Sequence, residues 1–164
     1  MESPFAKLFI DIMKQITNTV TEVQYIEQNL GQLGSEEPRK MLAFPAVLID
    51  FSQTSFEALS GNNQLATPTI SVMLIFDNYS QTNSLAPNEV RQTGLNYLEI
   101  EQKVVMALHG WQTNYCQPLT RTMAKSLNQN ELGLRVRELT FTTEYEDRSC
   151  DDSPQYLSIG LLAE

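Results

Sequence analysis

Ala46-Val47-Leu48-Ile49-Asp50-Phe51 is the stretch on which the fold turns. It is an almost unbroken apolar run of strand length behind Pro45, the pattern of a central strand covered on both faces. Ser52 to Leu59 reads as a half-exposed continuation with Phe56 pointing inward. Gly61-Asn62-Asn63 supplies turn residues. Thr69 to Asp77 then answers the first strand: Ile70, Val72, Leu74 and Phe76 alternate on one side, and Met73 and Ile75 add apolar surface to the other.

Upstream, Ser3-Pro4 opens a helix, because Ser caps the free N–H groups and Pro has none to lose at the first helical position. Phe5, Leu8, Phe9, Ile12, Met13 and Ile16 form its apolar stripe, which fades at Thr17-Asn18-Thr19. Val23, Tyr25 and Ile26 sit in a short extended run over Thr21 to Gln28, followed by a loop to Pro38. Downstream, Asn78 to Ala86 is a polar loop. A second helix spans Asn88 to His109, with Leu95, Leu98, Val105 and Leu108 on its inner side, Ile100 and Val104 broadening it, and Glu99 and Lys103 paired four apart. Gly110 stops it, and the helix dipole favours a cationic His109. Tyr115 to Ser126 is extended, with Leu119 and Met123 as its apolar residues. The last strand, Leu134 to Asp147, switches apolar parity between Val136 and Leu139, which predicts a β-bulge near Glu138.

Strands grouped between two helices predict an α+β fold: an antiparallel or mixed sheet packed against two main helices. Residues 1–147 form the expected single domain, and 148–164 an acidic hinge with an apolar C-terminal extension, Tyr156 to Leu162. The chain has 164 residues, of which 41% are hydrophobic and 19% charged, enough apolar content for a core of its own. Its net charge of −9 argues against phosphate-rich partners, so neither sequence-specific nucleic-acid binding nor an anionic membrane is expected. The apolar runs Ala46–Ile49 and Val72–Phe76 are far too short to span a bilayer. Met1-Glu2-Ser3-Pro4 offers no basic leader, and a chain made in the cytoplasm, with Cys116 and Cys150 as free thiols, is the expectation.

Chemistry is sparse. His109 is the single histidine, so a Cys–His pairing would have to join it to Cys116, and no third, orienting partner is evident. Gly31-Gln32-Leu33-Gly34 lacks the third glycine and the Lys-Ser/Thr of a phosphate loop. The acidic group Glu144, Glu146, Asp147, Asp151 and Asp152 lacks the ligand spacing of an EF-hand and reads as a solvated strand end. The expectation is therefore no enzyme, no catalytic residue, no metal and no cofactor. Gln, Asn, Thr and Ser together make up 50 residues, which supply hydrogen-bonding surface at low desolvation cost and suit contact with other subunits.

Five blocks carry a resemblance: VQYIEQNLGQL (23–33), FPAVLIDF (44–51), PTISVMLIFDNY (68–79), NYLEIEQKVVMALHGW (96–111) and ELTFTTEYED (138–147). In this order the chain resembles the tail terminator (tail completion) proteins of long-tailed bacteriophages, of the Bacteroidetes phage and prophage type. The resemblance implies a subunit of a homo-oligomeric, hexameric ring that caps the tail tube. Its partners would be itself, the tail tube protein and a head completion or connector protein. Its places would be the bacterial host cytoplasm during assembly and the virion tail. A negative lumen would let DNA slide. Ring closure needs two different patches per subunit; the candidates are Ser80 to Pro87, Ser52 to Leu65 and Tyr156 to Leu162. A head–tail connector, and an unrelated binding module or small enzyme, are the alternatives.

Overall fold

The first helix begins as its residues dictate. The Ser3 hydroxyl accepts from the Ala6 N–H at 3.4 Å, Pro4 takes the first turn, and α1 runs Pro4–Thr19 with Leu8, Ile12 and Ile16 buried. The computed structural model describes residues 3–34, 42–78, 80–127 and 133–150. After α1 come β1 (Tyr25–Gln28), a 3-10 turn (Gln32–Gly34), β2 (Ala46–Ala58), β3 (Gln64–Phe76), α2 (Asn88–Leu108), β4 (Thr120–Ser126), β5 (Arg135–Thr142) and β6 (Tyr145–Asp147). The strands form one mixed sheet in the order β1-β2-β3-β5-β4, with β6 also on β3; β1 is parallel to β2 and every other pairing is antiparallel. The architecture is α+β, as the segment order predicts.

Both helices cover one face of the sheet. There Leu8, Ile12 and Ile16 of α1 and Ile100, Val104 and Leu108 of α2 meet Val47, Ile49, Ile70, Val72, Leu74, Leu139 and Phe141. The other face holds a smaller cluster of Leu42, Ala46, Leu48, Ile75, Leu134 and Val136. Ala46 to Ile49 are all buried, which is why this run could not alternate.

The two-sided core also explains the parity switch of β5. Val136 belongs to the smaller cluster and Leu139 and Phe141 to the larger, while β5 stays in one unbroken register with β3 from Phe76↔Arg135 to Thr69↔Thr142. The bulge expected near Glu138 is therefore absent. Instead the register shifts between Phe51 and Gln53, making Ser52 the extra residue of β2, and between Arg121 and Met123, making Thr122 the extra residue of β4. Each of these hydroxyls donates across to a carbonyl of the neighbouring strand, Ser52 to Thr69 at 3.5 Å and Thr122 to Thr140 at 3.3 Å. β5 and β6 share one register along β3 and are interrupted opposite Pro68, which has no N–H to give to the ladder. The Thr143 hydroxyl and the Glu144 carbonyl bond to the Gln117 main chain instead.

Two expectations for α2 are corrected. Leu95 and Leu98 face outward, and the buried side runs through Gly94, Ile100, Glu101, Val104, Val105, Ala107 and Leu108. Glu101 enters this side because Arg137 of β5 receives it in a forked pair, Nε to Oε2 at 2.6 Å and Nη2 to Oε1 at 3.0 Å. That carboxylate raises the Arg137 pKa further above its ordinary value. Lys103 pairs not with Glu99 but with Glu22, across the gap to the end of α1.

Glu101→Gln, which leaves Arg137 covered and unpaired, is expected to cost about 3 kcal/mol in urea unfolding at neutral pH, whereas Glu101→Leu with Arg137→Met should cost much less. Comparable losses for the two variants would show that the pair contributes no mutual compensation.

Candidate functional site

The chemical candidates drawn from the sequence do not converge. His109 caps the C-terminus of α2 and is exposed, and its Nδ1 accepts the Arg121 N–H at 3.2 Å, which ties the helix end to the start of β4. Cys116 is buried against the Thr113 hydroxyl at 3.2 Å, and Cys150 is a separate, exposed free thiol. No bond joins His109 to Cys116 among the described residues. Glu146 pairs with Arg148, and Asp147 is held below the usual carboxylate range by hydrogen bonds from Ser149. Among the described residues there is no cluster of three or more potential metal ligands, and Asp151 and Asp152 lie outside them. Gly31 to Gly34 makes a tight turn whose Gln32 side chain is committed to the main chain of Gln28 and Leu30.

What the fold does build is surface. Beyond Ser52 the β2–β3 hairpin outruns the helices and stands out as an arm. Its tip turns at Ser60–Asn63, where Gly61 and Asn62 both have positive φ, 67° and 63°, the mirror-image turn that matches strand twist. Phe56 lies opposite Ala66, on the helix side of the sheet by register, yet it is 48% exposed. The expectation that it points into the core fails because α1 begins at Pro4, and its first ring, Phe5, stacks on Phe51 with centroids 5.2 Å apart. Leu59 at the tip is likewise exposed.

At the opposite end of the sheet, after β3, lies the second sequence candidate, Ser80 to Pro87. Gly94 lets this loop sit directly on α2: a Cβ there would fall 2.6 Å from Thr82 Cγ2 and 2.9 Å from the Ser80 carbonyl. Asn78 donates to the Thr93 carbonyl, and Arg91 to the carbonyls of Ser84 and Ala86. The loop so fixed holds out Leu85, 94% exposed. The third candidate, Tyr156 to Leu162, lies outside the described residues.

The two sheet edges differ. At the end of β1 the Gln28 N–H donates to the Glu27 carboxylate at 3.0 Å and its carbonyl accepts from the Gln32 amide at 2.8 Å, so side chains occupy both of its main-chain groups. All seven residues of β4 are exposed, and past the His109 contact no described residue bonds to its outer edge from Thr122 to Ser126. On the helix-free face Glu138 accepts from Ser71 at 2.7 Å and Lys125 at 2.9 Å. Burial pushes its carboxyl up, but the two donors outweigh burial and bring it below the usual range.

Sequence reading also missed a cleft of about 710 Å³ between the tip of the arm, β6 and the loop 112–117. Tyr145 lines it, with a hydroxyl that has no partner among the described residues and a pKa pushed up to about 12 by burial and the Asp147 charge. Beside it Tyr115 donates to Asp11 at 2.7 Å and lies under the Lys7 ammonium.

No family model matches the chain, and no curated protein does. Among solved structures it is similar to a chain of the "Virion of native gene transfer agent (GTA) particle", with a TM-score of 0.51 and 15% identity over 85% of this chain and 92% of that one. The likeness is one of fold. It extends over most of both chains and is therefore a likeness of the whole fold rather than of a single motif.

The lowered Glu138 contributes stability that is fully present above the ordinary glutamate pKa, about 4.3, and is lost as pH falls through its depressed folded value. Lys125→Met with Ser71→Ala should therefore flatten the acid limb of the pH–stability curve measured by denaturant unfolding between about pH 5 and pH 3. An unchanged limb would assign the acid sensitivity to other carboxylates.

Proposed function

We propose that the chain is a structural subunit of a phage-type virion, and within it the tail terminator: a ring of copies of itself, six by the resemblance, that caps the tail tube and receives the head. The observation that carries the reading is the fold shared with a chain of a gene transfer agent virion along almost the full length of both. The tail terminator role comes from the sequence resemblance, and the placement of exposed apolar groups agrees with it. Phe56 projects on the arm at one end of the sheet, and Leu85 projects from a pinned loop at the other. A subunit that must meet a tube on one side and a connector on the other needs two unlike surfaces at opposite ends, and these are unlike: a strand pair and a fixed loop. The net charge of −9 suits a passage through which DNA slides without sticking.

The role is tested in particles lacking the gene. Overlong tails seen by electron microscopy support a terminator. Tails of normal length that fail to join heads support the connector reading instead, and complete particles overturn both. On purified tail tubes the wild-type protein should bind the tube ends. Phe56→Asp should lose that binding while changing unfolding free energy by no more than about 1 kcal/mol, as befits a half-exposed position.

A further inference from the structure

The cleft beside β6 has an unused strand edge. The Glu144 carbonyl points away from β3, toward the Gln117 N–H. Main-chain groups of alternate residues share a side, so those of Glu146 also face away from β3, where no described residue bonds to them. Tyr145, 4% exposed, lines the same cleft and carries a buried hydroxyl with no partner among the described residues, and Leu59 and Leu65 supply apolar side chains on the arm side. Just past β6 the chain turns: the Asp147 carboxylate accepts from the Ser149 N–H at 2.9 Å and the Ser149 hydroxyl at 2.5 Å, and Ser149–Cys150 form a turn. Further along the sequence, Leu157, Ile159 and Leu161 make a period-two apolar stripe interleaved with Ser158 and Gly160. That is the pattern of a strand with one apolar side.

We propose that the chain's own C-terminal segment, residues 151–164, is the occupant of this cleft. It pairs with the outer side of β6, lays Leu157, Ile159 and Leu161 against Leu59 and Leu65, and brings a polar group to the Tyr145 hydroxyl. The segment leaves the described residues at the mouth of the cleft, and the seven residues from Cys150 to Leu157 reach at most about 24 Å, ample to enter it. Tethering gives the chain's own segment a high local concentration over that of any second copy. This inference is independent of the virion role.

The test uses the full chain. Leu157→Asp with Ile159→Asp should speed amide exchange at least tenfold in residues 112–117 and 144–148 and leave the β2–β3 core unchanged. Tyr145→Phe should lower the folding constant several-fold in the wild-type background and leave it equal or higher in the Leu157→Asp, Ile159→Asp background, where the hydroxyl has lost its partner. Exchange that ignores the tail substitutions overturns the proposal, as does an identical effect of Tyr145→Phe in both backgrounds. Protection that falls on dilution also overturns it, because the cleft is then filled by a second copy.

Discussion

The structure depends on a mismatch of length. β2 and β3 are each 13 residues long, about 43 Å when extended, whereas the 16 residues of α1 span about 24 Å. Helices of this size cannot roof strands of that length. The sheet therefore divides into a part that is covered, where Ala46 to Ile49 and Ile70 to Phe76 make the core, and a part that is not, which becomes the arm. The bulge at Ser52 falls where one gives way to the other, and Phe5, Phe51 and Tyr145 close the end of the core there with edge-to-face rings.

Along the covered half the order of contacts follows from chemistry. Side chains of both parities in β3 are apolar, so both faces need cover; α1 and α2 provide one, and the residues around Leu42, Leu134 and the start of β2 provide the other. Where the helix-side cover meets charged residues, the sheet answers with Arg135 and Arg137. The first donates to the Gly94 carbonyl at 2.8 Å and lies on the Tyr97 ring, and the second receives Glu101. These contacts fix how α2 is rotated, and through Gly94 and Arg91 they fix the Leu85 loop as well.

Much of this is legible in the residues. Ser3-Pro4, the apolar run at 46–51, the alternation at 70–76 and the turn at 61–63 each act locally, and each produces the element expected. Expectation and structure part where a distant residue decides. Leu95 and Leu98 are apolar and read as inner residues, but Arg137, far along the chain, draws Glu101 inward and turns them out. Phe56 has the right parity for the core and still meets solvent, because helix length is not visible in a strand. The signal at Glu138 is a parity change, and parity cannot tell a bulge from a sheet buried on both sides. Of the interaction surfaces, the arm and the pinned loop are legible as polar, turn-rich stretches, while the cleft, assembled from separate segments, is not.

The unequal sheet edges limit how this subunit can grow by strand pairing. An open strand edge invites endless addition, as in fibrils. Here Gln32 and Glu27 occupy the main-chain groups of Gln28 at the end of β1, whereas all seven residues of β4 are exposed, which makes β4 the more open route for pairing. Two copies joined β4 to β4 have used both of these edges, so growth by that one contact stops at a pair.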